Sequence, residues 1–597
     1  MADILASYNA LSPSSPRGDV SKVLNAIATI PIIDNASREA LIIALLSDVG
    51  SCKPGSTSGR LHHTDAHLAL SAIKSLGRQP SGSSVIASAQ NLSTLLVVSK
   101  SLKDSNLEAS LEGLRCIANA LLLIESARAS LISDSVNGGE YAILLLEKSS
   151  SPDVIFIASR ILFLATASSI TAGSFIVSIV ERKSSGRVLS LVDIISIRLE
   201  SLTNALLGGA KMAREAMVDL LKFSFNILTH YPKLVDCEEV VELGTSGDGA
   251  KVMGEYWSDR LDGLLPPLLR AFNTLPPGSP SPLAPPLNHA IHALLAIPYI
   301  KSLQAIWLPS HSYSRRGSPT SGPNSPISPG GSSLASDPPR ETSRHHGAFD
   351  RAKHMLTAGR RSLSRSSSPA RSPTPPNHDT LLHTYGLLEV ALSHYFPGTI
   401  EPDDASVRAT AKTESESTMD ELLAPLLMLL LKLVAGDTNA RERVREWLLP
   451  ANLDRTVVLE SRADTLGRLL RLLTSVYHTR LNSISGELLY ALCNHDATIL
   501  ISQMGYGNVA GFLFNKGIVT GPPSSGATSG PIDTSGAQIN PITGAIQEER
   551  AEIEMTEEER ESEAEKLFVL FDRLERTGAV PPEANPVRRA IQRSFAS

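Results

Sequence analysis

The sequence is poor in the residues that staple or stack small folds. Its 597 residues hold four cysteines, Cys52, Cys116, Cys237 and Cys493, far apart and without a CxxC pair. That spacing excludes a disulfide scaffold and a clustered thiolate metal site, and it suits a reducing compartment. Aromatic residues make up 5% of the chain, too few for ring-lined surfaces that stack bases or fill a β-sandwich. Neither charge dominates: 55 Lys and Arg face 61 Asp and Glu, a formal net charge of −6. A dedicated phosphate-backbone binder depends on excess cations, so no nucleic-acid partner is expected. No apolar run approaches the ~20 residues of a membrane helix, and the longest, Leu422–Gly436, contains Lys432. The opening residues MADILASYNALSPSSPRGDV lack a basic stretch followed by an apolar core. No secretory signal is expected, and the chain reads as a soluble, intracellular protein.

What is present is helical periodicity. From Val20 to Trp307, segments such as ALIIALLSDV, LEGLRCIANALLLIESA and AREAMVDLLKFSFNILTHY place apolar residues three and four apart, the period of a helix buried on one face. Period-two alternation is scarce, so the expected class is all-α. Many helices joined by short breaks predict an armadillo/HEAT-type α-solenoid with degenerate units of roughly 40–47 residues. Arg115-Cys-Ile-Ala-Asn119 and Lys222-Phe-Ser-Phe-Asn226 resemble each other, and Tyr490-Ala-Leu-Cys-Asn494 repeats the asparagine.

Composition divides the chain into repeats at 1–308, a basic Ser/Pro-rich insert at 309–377, further repeats at 378–519, a flexible linker at 520–545 and an acidic tail at 546–597. The insert carries ten Lys and Arg against three Asp and Glu and has too little apolar surface to offset its ordering entropy, so it is expected to be disordered. Ser318, Ser325, Ser328, Ser368, Ser372 and Thr374 each precede proline. The insert is either a phosphorylated regulatory loop or an unselected insertion. In the tail, Thr556 and Glu559 have the spacing of a capping box. Leu567, Leu570, Phe571 and Leu574 then form an apolar stripe. A lone amphipathic helix needs a surface for such a stripe, either its own solenoid or a partner.

Enzymatic motifs are near-misses. Gly244–Lys251 resembles a P-loop, but Ala250 separates the second glycine from the lysine and no Ser or Thr follows. The GSTSG at Gly55 and GATSG at Gly526 place threonine where a nucleophile elbow needs serine. His62, His63 and His67 have no thiol or carboxylate set to complete a metal site. No catalytic residue, cofactor or metal is expected.

Attention therefore falls on surface side chains. Arg115 with Asn119, and Lys222 with Asn226, share helical faces, while Lys74 with Arg78 extends the pattern and Arg160 joins it. The asparagines either satisfy backbone groups within the stack or join the cations in a groove for an acidic peptide or a terminal carboxylate. For the set, the groove reading is preferred. Each charge-assisted hydrogen bond there is worth ~1.5–3 kcal/mol.

Several stretches carry a family resemblance: GRLLRLLTS (Gly467–Ser475), GELLYALCN (Gly486–Asn494), GYGNVAGFLFNKGI (Gly505–Ile518), INPITG (Ile539–Gly544) and MTEEERESEAEKLFVLFDRL (Met555–Leu574). In this order after a helical array, they resemble the synembryns, cytosolic exchange factors and folding chaperones for heterotrimeric G-protein α subunits. The resemblance implies a superhelix whose concave groove takes the C-terminal helix of the α subunit. Lys74, Arg78, Asn119, Arg160, Phe163 and Asn226 are the implied groove residues, with Arg115, Lys222 and Asn494 from the repeated pattern. It also implies a tail that reaches the GTPase switch region through Leu567, Leu570, Phe571 and Leu574. The implied protein is a monomer without covalent chemistry, cytoplasmic and recruited to the plasma membrane through the G protein. The Ser/Pro insert, the nearly uncharged linker and Ala296, where an asparagine is expected, depart from the family pattern. The alternative is an armadillo-type scaffold or transport adaptor that binds peptides whatever the nucleotide state.

Overall fold

The computed structural model describes residues 4–52, 59–182, 189–235, 237, 256–309, 379–518, 539–540 and 542–546. Within them the regular elements are helices, and a β-bridge joins Ile539 to Ile546. Local sequence explains where many helices start. Asp34, Ser88, Asn106, Asp379 and Asp464 each accept an amide hydrogen from the first turn of the helix that follows. Thr418 with Glu421, and Ser190 with Asp193, form full capping boxes. Pro80 and Pro152 sit in first turns, where no amide donor is lost.

The helices stack as an α-solenoid. Eight of the described helices form a spine, each packed on the next: Arg17–Thr29, Ala66–Leu76, Leu107–Leu123, Pro152–Ala165, Ala213–Leu234, Leu287–Leu295, Met419–Gly436 and Thr479–Leu492. Other helices flank this spine and close one continuous apolar core that runs from Tyr8 to Leu513. The spine passes directly from Leu287–Leu295 to Met419–Gly436, so the repeats on either side of residues 310–378 belong to one stack. None of the described helices is long and apolar enough to cross a membrane.

Polar bonds join successive spine helices end to side. The last turn of any helix leaves carbonyls without intrahelical partners, and at four junctions the next spine helix supplies a donor. Ser75 Oγ donates to Ala28 O at 2.7 Å, and Asn119 Nδ2 to Lys74 O at 3.4 Å. Asn226 Nδ2 donates to Phe163 O at 3.0 Å and to Thr166 Oγ1 at 3.1 Å. Lys432, the charge that interrupts the longest apolar run, is buried and donates to Leu295 O and Ile297 O, both at 2.8 Å. It fills the role that Asn119 and Asn226 have at two earlier junctions.

At the carboxyl end, the residues read as the close of a flexible linker are docked instead. Ile539–Asn540 and Ile542–Ile546 fold back beside the Ala497–Met504 and Tyr506–Asn515 helices, with Gly507 N donating to Ile542 O at 2.8 Å. The rest of the expected linker, the insert beyond Pro309 and the tail with Leu567, Leu570, Phe571 and Leu574 lie outside the described residues. So do the P-loop-like Gly244–Lys251 and most of both GxTSG segments.

Close packing makes some glycines indispensable. Gly486, in the middle of a spine helix, faces the Phe512 ring, and any Cβ there would overlap it. Gly486→Ala should therefore lower stability by about 1–3 kcal/mol through overpacking. Urea unfolding with the slope unchanged measures it, and an unaltered midpoint would contradict the close approach.

Candidate functional site

The candidate residues from Lys74 to Asn226 lie on four successive spine helices, or just beyond one. Lys74 is on Ala66–Leu76, and Arg115 and Asn119 are on Leu107–Leu123. Arg160 and Phe163 are on Pro152–Ala165, and Lys222 and Asn226 are on Ala213–Leu234. Arg78 follows the first of these helices and is exposed.

Buried acids organise the cations. Glu112, on the Leu107–Leu123 helix, pairs with Lys74 of the preceding spine helix at 2.5 Å and with Arg115 on its own helix. Its side chain is 6% exposed, whereas Lys74 and Arg115 are about a quarter exposed. Asp219, on Ala213–Leu234, repeats the arrangement, accepting from Arg160 Nε of the preceding helix at 2.8 Å. Asp219 is 1% exposed and Arg160 is 44% exposed. Aromatic faces complete the support: the Arg160 guanidinium lies 4.5 Å from the Phe156 ring centre, and Lys222 Nζ lies 5.4 Å from that of Phe163. Such contacts hold a cation without discharging it.

The two acids differ in balance. Burial pushes the Glu112 carboxyl up, but hydrogen bonds and charge from Lys74 and Arg115 outweigh it and hold the group below the usual range. For Asp219 burial prevails over Arg160 and Lys222, and the carboxyl sits above its usual range. One half-exposed partner does not replace the water that Asp219 has lost. Next along the spine, burial, then Lys222 and His292, push His289 down to about 4. The imidazole is therefore neutral at pH 7.

The repeated pattern is longer than the base and asparagine read from the sequence. Glu112, Arg115 and Asn119 have the same spacing as Asp219, Lys222 and Asn226, an acid three before the base and seven before the asparagine. The acid grips the preceding helix's cation while the asparagine caps that helix's carbonyl. The sequence signal for Glu112 and Asp219 was present in that spacing. Asn119 and Asn226 are engaged within the stack, as the backbone-satisfying reading has it.

Asn494 belongs to a different neighbourhood. Glu487, Tyr490 and Asn494 keep the spacing, but Glu487 pairs at 2.5 Å with Lys516, whose ammonium lies 5.1 Å from the Tyr490 ring centre. Asn494 falls beyond its helix in a left-handed conformation, φ 57°, and accepts from Arg441 Nη1 at 3.0 Å. Two further spine helices separate it from Asn226. Among the described residues no group of three or more His, Cys, Asp or Glu could hold a metal ion. His63 meets Ser105 Oγ at 3.3 Å, and His67 lies 3.9 Å from Glu108.

Comparison with known proteins identifies the family. The chain belongs to the Ric8 family, described as guanine nucleotide exchange factor synembryn, whose sequence model matches residues 69–594. Similar relatives include Chaperone Ric-8A of Macaca fascicularis, 32% identical over 173 residues, which cover 28% of this chain and 32% of the relative. Chaperone Ric-8 of Drosophila pseudoobscura pseudoobscura is 33% identical over 187 residues, covering 29% of this chain and 33% of the relative. Chaperone Ric-8A of Xenopus laevis is 33% identical over 171 residues, covering 27% and 32%. Each match thus spans about a third of the relative's length. A solved structure from work on a phosphorylation switch between cadherin and beta-catenin aligns over 83% of both chains, at 12% identity and a TM-score of 0.27.

The contrast between the acids has a measurable consequence. Glu112→Gln removes the charge that two cations share and should cost about 1–3 kcal/mol at pH 7. Asp219→Asn relieves a disfavoured charge and leaves a half-exposed arginine to water, so its effect should stay within about 1 kcal/mol. The sign follows from linkage: the stability Glu112 supplies is complete above the ordinary glutamate range and disappears as pH falls through its lowered pKa. Thermal unfolding of both variants at pH 7 and pH 4 tests this, and equal losses at pH 7 would contradict it.

Proposed function

We propose that this protein is a guanine nucleotide exchange factor and folding chaperone for heterotrimeric G-protein α subunits. The family match over residues 69–594 carries the reading. The row of supported, partly exposed cations along four spine helices is the physical support, since it suits a peptide end bearing carboxylates. In this reading Lys74, Arg78, Arg115, Arg160 and Lys222 receive the C-terminal helix of the α subunit, with Phe163 as an apolar contact. Asn119 and Asn226 fix the helices beneath. The tail, through Leu567, Leu570, Phe571 and Leu574, engages the switch region. The protein works as a monomer in the cytoplasm and meets the plasma membrane through its G protein.

No bond is made or broken in this mechanism. A factor that prefers the nucleotide-free α subunit lowers its affinity for GDP by the same factor by which GDP lowers the affinity for the protein. GTP, abundant in cells, then rebinds and displaces it. The same preference would hold a newly made α subunit until nucleotide locks its fold, so exchange and chaperoning express one coupling free energy.

The test is release of a fluorescent GDP analogue from a purified α subunit, which the protein should accelerate in proportion to its concentration. No acceleration, with no stable nucleotide-free complex, would reject the reading. For the surface, Lys74→Glu with Arg78→Glu should weaken binding of a peptide taken from the C-terminal end of the α subunit. The loss should be at least tenfold, since the charge-assisted bonds removed are worth ~1.5–3 kcal/mol each. Because the first change sets a carboxylate against Glu112, Lys74→Met with Arg78→Glu is the companion variant. Unchanged peptide affinity in both, with the fold intact, would move the binding surface elsewhere.

A further inference from the structure

The GYGN and INPITG segments, 30 residues apart in the chain between Asn508 and Ile539, form a single device. The turn at Asn540–Ala545 is closed by its own groups. Asn540 N donates to Ala545 O at 2.7 Å and Gly544 N to Asn540 O at 2.8 Å, while Asn540 Oδ1 accepts from Ile542 N at 2.9 Å. Gly544 has φ 70°, and a Cβ there would stand 2.7 Å from Met504 O.

The body receives this turn through backbone contacts that leave no room for side chains. Gly505 has φ 82°, and a Cβ on it would lie 2.5 Å from Gly544 N and 2.6 Å from Ile542 O. Gly507 N donates to Ile542 O at 2.8 Å. Asn508 Nδ2 bonds Met504 O at 2.7 Å and reaches Thr543 O at 3.5 Å. Beneath them the buried Arg455 donates from Nη1 to Gly544 O at 2.7 Å and to Gln503 O at 2.9 Å. Arg455 O accepts from Ile546 N at 2.7 Å. Ile539 and Ala545 are buried on the body.

We propose that this contact is a clasp: it fixes Ile546, the start of the tail, on the solenoid independently of residues 519–538. That connection is 20 residues rich in Gly, Ser and Pro. A flexible chain of this length alone would spread its end over about 25 Å root-mean-square. With the clasp closed, the tail starts at a fixed place beside Gly505–Asn508, and the cationic face and the tail act as two arms on one rigid frame. Two-armed binding then depends on the geometry of the frame and is insensitive to linker length. This last step rests on the proposed binding of a G-protein α subunit; the clasp itself does not.

The experiment uses the full chain in four forms: natural, Asn540→Ala with Gly544→Val, an insertion of 20 Gly/Ser residues after Ser525, and the two combined. Both substitutions lie on the turn, so the body keeps its own packing. Hydrogen exchange is measured on peptides covering 505–508 and 539–546. The natural chain and the insertion alone should protect both regions, and the substituted forms should exchange them at least tenfold faster. Affinity for a nucleotide-free α subunit should be unchanged by the insertion while the clasp is intact. Once the clasp is broken, the insertion should cost about threefold further, as effective concentration falls with the −3/2 power of linker length. Unprotected exchange at 539–546 in the natural chain, or a loss of affinity on insertion with the clasp intact, would overturn the proposal. If no form binds an α subunit, the exchange-factor reading fails while the exchange data still decide the clasp.

Discussion

The carbonyls left over at the ends of the spine helices are the constraint on which much of the stack turns. A stacked helix cannot surrender those groups to water, and leaving them unpaired would cost about 1–3 kcal/mol each. At four junctions the next helix answers with a side chain: Ser75, Asn119, Asn226 or Lys432. Each such bond sets how far the second helix slides and how it is rotated. In the two repeats that carry asparagine, this rotation brings an acid against the previous helix's cation and leaves a base facing outward. The face proposed for binding is therefore a by-product of the way the stack is closed.

That arrangement explains how a chain with a mild net negative charge presents an organised row of cations. Glu112 and Asp219 are nearly inaccessible, while their partners remain partly exposed. Counter-charge is thus kept below the surface, and the accessible ends of Lys74, Arg115 and Arg160 are held at defined positions. Preorganisation of this kind reduces the entropy lost when a partner docks. His289, held neutral chiefly by burial and then by Lys222, adds no charge to the row at pH 7.

The fold was largely legible from periodicity. Three-and-four spacing marked the helices, while the Asp, Ser and Thr caps that start many of them came to light with the structure. Lys432 was legible only as an interruption, because an isolated charge in an apolar run does not announce which distant carbonyls it will meet. The cations and asparagines stood out as similar fragments. The acids went unread although they keep the same spacing, since Glu112 and Asp219 look like solvated charges until the preceding helix is in place. Asn494 shows the opposite failure: its sequence setting matches Asn119 and Asn226, yet a left-handed turn takes it off the helix. The docked turn at Ile539–Ile546 was masked by the Gly/Ser/Pro-rich composition just before it. Its stability comes from backbone bonds to Gly507 and Arg455, which composition does not record.

Binding and nucleotide exchange, in the function proposed for this protein, are linked through one preference for the empty α subunit. The most direct measurement is the affinity of the full chain for a purified α subunit in three states: nucleotide-free, bound to GDP and bound to a non-hydrolysable GTP analogue. The linkage predicts tightest binding to the nucleotide-free form, weakening as either nucleotide is added, with GDP affinity reduced reciprocally by the protein. Equal affinity in all three states would contradict it and would mark the protein as a peptide-binding scaffold.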